Sequence, residues 1–291
     1  MSETAANPFA PLFVGGLGLN SGLADVHNLA FKLAAVCQGT AKDSCLDSYE
    51  TDRRHVATVN SSQSVKNGKL IFGFLKTLGT AGTSDVVEAR RNLHSSLTDP
   101  KQKQKVDMGV EAQREHFDNL GLHIGYVYGD TQIPKNASAY TPRFVAGARL
   151  PHAWLRGNLP ADLPQLKPVN LGYVKEMPLA EVKEKRYSTL DLCAPDTWTF
   201  ILGPDSSSLE KSARSIACRF AKVKFKVLTV GGDFDLLPDA AGQRWLQQSG
   251  LKARHGMLIQ PDQHIFCMLD ATEDQGFTEQ ALSTILIATK G

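Results

Sequence analysis

The strongest constraint on this chain lies near its start, in Val14-Gly15-Gly16-Leu17-Gly18-Leu19-Asn20-Ser21-Gly22 and the helical pattern that follows to about Val36. Glycines crowd a tight turn, Asn20 or Ser21 can cap, and the helix then begins. The first amides of a helix have no intrahelical acceptor and its N-terminus carries roughly half a positive charge, so such a turn suits an anion or an electron-rich ring edge. The same residues also fit a plain capped helix. From Leu23 to Val36, Asp25, Asn28 and Lys32 recur at spacings of three and four on one stripe, and Leu23, Val26, Leu29, Ala30, Leu33 and Ala34 fill most of the rest. That predicts a helix buried on several sides. The turn is not a dinucleotide fingerprint. Gly16, Gly18 and Gly22 give G-x-G-x-x-x-G, one residue too long, and no acidic-ended βαβ unit follows.

Composition removes several function classes. The 291 residues allow one or two domains, with 42% hydrophobic and 21% charged residues, ordinary for a globular protein. A formal net charge of +2 without a long basic run gives no nucleic-acid footprint. No apolar run approaches the roughly 20 residues that cross a bilayer, and Met1 to Ala10 has neither a basic n-region nor a long apolar h-region. The expectation is a cytoplasmic protein with no membrane partner. The five cysteines include no C-x-x-C and no zinc-ligand spacing, and the eight histidines are scattered, so no metal site is expected. His27, His152 and His264 stand alone and read as structural.

Along the first half, a loop at 41–46 precedes a long helix from Leu46 to about Leu75. The polar run Asn60-Ser61-Ser62-Gln63-Ser64 and Gly68 predict an interruption in it. Arg53 and Arg54 lie at helical spacing from Glu50. Ser84 or Asp85 caps a helix through about Leu97, which Asp99-Pro100 ends. Lys101 to Lys105 reads as a solvated turn, Asp107 to Leu120 as a helix, and the alternating His123 to Tyr128 as a strand. Tyr126 or Tyr128 can touch a ligand or simply pack. The turn-rich 129–142 marks a domain boundary, giving domains 1–140 and 141–291.

Beyond it, 188–202 supplies strand material, Ser207 to Phe220 a helix, Val223 to Val230 a strand and Ala240 to Ser249 a helix. Met257–Gln260 and Ile265–Met268 form a hairpin, and Thr278 to Ala288 a closing helix. This β-α-β-α-β-β-α order is that of a thioredoxin-like domain within an α/β (α+β) chain. Gly203-Pro204-Asp205-Ser206 stands where a C-x-x-C would follow the first strand, which argues against thiol–disulfide chemistry.

Four motifs in order carry a family resemblance. Gly15 to Leu33 resembles G-G-x-G-x-N-x-G-x-x-D-x-x-N-L-x-x-K-L of the FAD-dependent aromatic hydroxylases, the family of p-hydroxybenzoate hydroxylase and phenol hydroxylase. Leu46 to Arg54 is similar to that family's L-x-x-Y-E-x-E-R-R, Gly147 to Leu155 to its G-x-R-x-P-H-x-W-L, and Leu258 to Ile265 to its L-x-R-P-D-x-H-V. The family's Rossmann-type G-x-G-x-x-G, D-G and G-D-A-A-H motifs, which come ahead of the glycine segment, have no counterpart here. The resemblance thus implies the C-terminal half of such an enzyme: a helical remnant of the FAD and substrate domain, followed by a thioredoxin-like domain that contributes to dimer contacts in phenol hydroxylase-type members.

The resemblance also implies FAD as cofactor and a small aromatic, phenolic or polyketide-like substrate. It places Gly15, Gly16, Gly18, Leu19 and Asn20 against the pyrimidine edge of the isoalloxazine, with backbone amides around Gly18, Leu19 and Asn20 facing N1–O2. No nucleophile–base pair or paired acid stands out, and no catalytic residue is singled out. Three functions follow as alternatives. The chain is a shortened or split FAD-dependent monooxygenase; or it is a flavin-free scaffold for a non-redox cyclisation or isomerisation; or it is a non-catalytic dimerisation module. Without a Rossmann core against it, the flank formed by Leu23, Val26, Leu29, Phe31 and Leu33 is expected to drive association, as a homodimer or with a complementing FAD-binding chain.

Overall fold

The computed structural model describes residues 16–130, 136–157, 159–163, 165–166, 186–251, 254–270 and 276–288. The chain divides into two compact units: Met1–His27 with Tyr49–Thr141, and Asn28–Ser48 with Pro142–Gly291. Mixed helix and sheet result, with helices in the first unit and a sheet in the second.

The first helix, α1, runs Leu17–Cys37, and its residues up to His27 belong to the first unit. The helix starts ahead of Asn20 and Ser21, which sit inside its first two turns. Helix α2 then runs unbroken over Asp47–Thr77. The polar run expected to interrupt it is helical, and two of its members, Asn60 and Ser64, lie buried four residues apart on one face. Helix α3 (Val86–Thr98) is capped by Asp85, whose side chain accepts from Val87 N at 2.8 Å.

Asp99 ends α3 in an extended conformation, as a residue before proline favours, and in the same stroke caps α4 (Pro100–Glu111) by accepting from Lys101 N. Pro100 is harmless at the first helical position, where its missing N–H would have had no acceptor. Lys101 to Lys105 are therefore helical, and α4 starts seven residues earlier than its periodicity suggested. Two short helices follow, α5 (Arg114–Phe117) and α6 (Leu120–Ile124). His123 and Ile124 close α6, so the alternation from His123 to Tyr128 is not a strand. Val59, Leu122 and Ala137 form a small apolar cluster in this unit.

In the second unit, β1 (Leu155–Arg156) pairs antiparallel with β4 (Asp235–Leu236). The main sheet holds β2 (Thr197–Leu202), β3 (Lys224–Thr229), β5 (His255–Ile259) and β6 (Ile265–Asp270) in the order β3-β2-β5-β6. β2 and β3 are parallel, joined through α7 (Ser207–Arg219), whereas β5 runs antiparallel to both β2 and β6. Helices α8 (Ala240–Ser249) and α9 (Gly276–Ile285) complete the unit.

The two-residue period of a strand explains why this sheet supports two cores. Ile201, Met257 and Ile259 point into one cluster with Leu150, Leu192, Phe234 and Trp245. Trp198, Phe200, Leu202 and Leu258 point into the other, with Leu209, Ile216, Phe220 and Leu282. β2 is buried on both faces because it is central.

Candidate functional site

The glycine turn is the first place to look. Gly16 has φ +66, a left-handed conformation, and a Cβ added there would meet nothing within 4 Å. Glycine is thus required for backbone conformation and the space beside it is open. Because α1 begins at Leu17, Gly18, Leu19 and Asn20 lie in the first turn of the helix, not in a loop ahead of it. Asn20 does not cap; its Nδ2 donates to Gly16 O at 3.0 Å, tying the turn to the helix. Leu19 is 75% exposed, and the first turn holds no acidic residue that would oppose an electron-rich group. Gly15 lies outside the described residues. Such a turn can offer backbone donors to a ligand edge.

The polar stripe predicted on α1 exists, and it is the buried face. Ser21, Asp25, Asn28 and Lys32 are all enclosed, while Leu23, Val26 and Leu33 are exposed; Leu29 and Phe31 are partly buried. Within the first unit, Asp25 Oδ1 accepts from Arg53 Nε at 2.7 Å, and Ser21 Oγ accepts from Asn60 Nδ2 at 2.8 Å. Arg53 also sets its guanidinium carbon 4.9 Å from the centre of the Tyr126 ring. Burial works against the charge on Arg53, but Tyr126, the hydrogen bond to Asp25 and Tyr128 outweigh it and hold the guanidinium above its ordinary pKa. Burial together with Asp25 pushes the Tyr49 hydroxyl up. Arg53 therefore does not pair with Glu50; Arg54 does, at the surface.

Within the second unit, Asn28 Nδ2 donates to Asp262 Oδ2 at 2.9 Å and Lys32 Nζ donates to Asn28 Oδ1 at 2.9 Å. Asp262 sits in the bend between β5 and β6, where Gln263 adopts φ 65. Its other oxygen accepts from His264 N at 3.2 Å, and His264 Nδ1 lies 3.0 Å from Asp262 O. Burial raises the Asp262 carboxyl, yet His264 and the bond from Asn28 hold it below the usual carboxylate range. The same bend receives the G-A-R-L-P segment: Gly147 N donates to Ile265 O, Ile265 N to Ala148 O and Leu150 N to Gln263 O, all within 2.8 Å.

The four motifs are thus mutually bonded. The first meets the second through Asp25 and Arg53, and the fourth through Asn28 and Asp262; the third meets the fourth through backbone. Sequence reading found the segments but missed these partners. The available signal was a set of charged residues at helical spacing within an otherwise apolar helix, which must either face water or meet a buried counterpart.

The remaining polar candidates are anchored structurally. His152 Nδ1 lies 2.7 Å from Ser188 Oγ, which also accepts from Leu190 N as a helix cap. Burial holds the His152 pKa below its ordinary value, with Asp191 and Asp239 opposing. Pro151 O accepts from Trp245 Nε1 and Thr189 Oγ1. Among the described residues, no group of three or more His, Cys, Asp or Glu side chains is placed to hold a metal ion, and no helix is long and apolar enough to cross a membrane. An apolar groove of about 410 Å³ on the first unit, between Phe74, Val110 and Phe117, is lined by no motif residue.

Comparison with known proteins converges on one chemistry. Residues 10–64 match the family described as FAD binding domain, a span that holds the glycine turn, Asp25, Arg53 and Asn60. The chain is 29% identical over 282 residues to the tetracenomycin A2 monooxygenase-dioxygenase of Streptomyces glaucescens, covering 95% of this chain and 40% of that protein. It is 25% identical over 266 residues to the phenol 2-monooxygenase of Pseudomonas sp. (strain EST1001), covering 86% and 39% respectively. Its fold is similar to that of the flavin-dependent monooxygenase PieE, crystallised with FAD and substrate, with a TM-score of 0.67 at 23% identity over 93% of this chain and 44% of PieE. The chain therefore resembles FAD-dependent aromatic and polyketide hydroxylases over nearly all its length, and spans about 40% of the length of these curated relatives.

Proposed function

We propose that this chain forms part of an FAD-dependent monooxygenase that hydroxylates a phenolic or polyketide-like small molecule. The observation that carries the reading is the N-terminal turn of α1. Its left-handed Gly16, open surroundings and unpaired first-turn amides at Gly18 and Leu19, with Asn20 beside them, suit the electron-rich edge of a flavin ring. Bound FAD would supply the reaction with oxygen and the transfer of one oxygen atom to an activated aromatic ring. The residues of this chain orient the ring edge and stabilise negative charge there. In this reading the turn meets the ring edge, and the adenine and pyrophosphate would be held by the remainder of a hydroxylase of this kind, in the same polypeptide or in another.

The exposed flank of α1 supports that division. Leu19, Leu23 and Val26, all in the first unit, recur at i, i+4 and i+7 and face solvent. Three large apolar side chains on one helical face mark an interaction surface. The proposed occupant is the part of a hydroxylase that this chain does not match; a second copy of the chain is the competing outcome. The second unit is read as a thioredoxin-like domain, supported by its β3-β2-β5-β6 order with one parallel and two antiparallel pairings. It is read as serving assembly, since no C-x-x-C accompanies the fold.

The test is the visible absorption spectrum of the purified chain after incubation with FAD and gel filtration. A retained flavin band near one equivalent supports the site, and NAD(P)H oxidation with phenols then tests the activity. If the protein stays colourless alone and also in the presence of an FAD-binding hydroxylase half, the reading is wrong.

A further inference from the structure

The N-terminal turn of α1 has little apolar support. Leu19, Leu23 and Val26 face solvent, and the buried face of these turns is made by Leu17, Ser21 and Asp25, of which only Leu17 is apolar. A face of this kind cannot be fixed by close-packed side chains alone. It is instead fixed by two directional bonds to α2. Ser21 meets Asn60 and, four residues on, Asp25 meets Arg53. These two α2 residues are seven apart, about two turns of helix. Bonds at two levels between two helices determine both the rotation of α1 and its axial position, whereas a single bond would leave one of them free.

Arg53 is the centre of this clamp. It is 3% exposed, grips Asp25 through Nε and sets its guanidinium carbon 4.9 Å from the centre of the Tyr126 ring. We propose that Arg53, acting through Asp25, is a positioning residue that sets where the Gly16–Asn20 turn presents its amides. The inference rests on the assignment of that turn to the flavin edge. Lysine cannot replace the arrangement: it keeps the charge but has neither an Nε–H on a planar fork nor a flat face for the tyrosine ring.

The experiment compares Arg53→Lys with the native chain in two measurements. The first is FAD affinity by quenching of flavin fluorescence. The expected result is a Kd raised about tenfold with the melting temperature within about 4 °C of the native value. The second is hydrogen exchange without FAD. Segment 17–27 is expected to exchange several-fold faster while α3, α4 and the second-unit helix α7 keep native protection. Should Arg53→Lys fold poorly, Ser21→Ala removes only the second bond and is expected to give the same selective loosening in a milder form.

Native affinity in either variant, or loss of protection spread evenly through α2 to α6, overturns the proposal. If the native chain retains no FAD either alone or with an FAD-binding hydroxylase half, the flavin reading has failed, and selective loosening of 17–27 would still establish the clamp.

Discussion

Asn28 and Asp262, 234 positions apart in sequence, meet through a 2.9 Å hydrogen bond in a fully enclosed setting. Lys32 and His264 complete the group, so four polar side chains occupy space that an apolar core would otherwise fill. Such a group is stable only when its members satisfy one another. At the bend of residues 260–264, where Gln263 is left-handed, both oxygens of Asp262 meet donors.

The Asp262 carboxyl has a depressed pKa in the folded protein. Its unfolded value is about 3.9. A depressed carboxyl contributes stability that is fully present above the unfolded value and is lost as pH falls through the folded one. Urea unfolding is therefore expected to show a loss of stability as the pH falls below about 4. Asp262→Asn should lower stability at neutral pH by about 1–3 kcal/mol and flatten that acid slope. An unchanged slope in the variant would place the acid sensitivity elsewhere.

Two adjacent arginines should behave very differently. Arg54 pairs with Glu50 at the surface, with their side chains 65% and 63% exposed. Arg54→Ala should change unfolding free energy by less than about 0.5 kcal/mol. Arg53→Ala leaves the Asp25 carboxylate enclosed without its cation and should cost about 3–5 kcal/mol. Paired denaturant titrations decide this, and equal effects would contradict the buried clamp.

Thiol reactivity should split the cysteines. Burial pushes Cys193 up to about 12 and Cys267 up to about 11. Cys45 is buried as well, whereas Cys37 and Cys218 are exposed. Iodoacetamide at pH 8 should label Cys37 and Cys218 in the native protein and reach all five only after unfolding. Peptide mapping by mass spectrometry reads the pattern directly, and rapid native labelling of Cys193 would show that its core opens.

Two helical glycines make a further contrast. An added Cβ at Gly242 in α8 would sit 2.1 Å from Leu237 O, a backbone atom that cannot step aside. Gly242→Ala should therefore destabilise by about 1–3 kcal/mol. At Gly22 in α1 nothing lies within 4 Å, and Gly22→Ala should stabilise by up to about 1 kcal/mol through helix propensity. Thermal melts of both variants should move in opposite directions.

Much of this protein is set by local sequence. Periodicity alone places α1, α2, α7 and α8, and the alternation of Trp198, Phe200 and Leu202 against Ile201 makes β2 a strand with two apolar faces. The motif resemblance pointed to the segments that the fold then ties together. Periodicity cannot say what a face will meet. Asn60 to Ser64 reads as a break in a helix because a polar run suggests water, yet here Asn60 turns inward to Ser21. Lys101 to Lys105 reads as a turn because the charge obscures the cap that Asp99 supplies. In α1 the sequence determined that one flank is polar and the other apolar. Only the tertiary structure decided that the polar flank is the buried one, because Arg53 and Asp262, distant in the chain, satisfy Asp25 and Asn28 and leave the leucines outward.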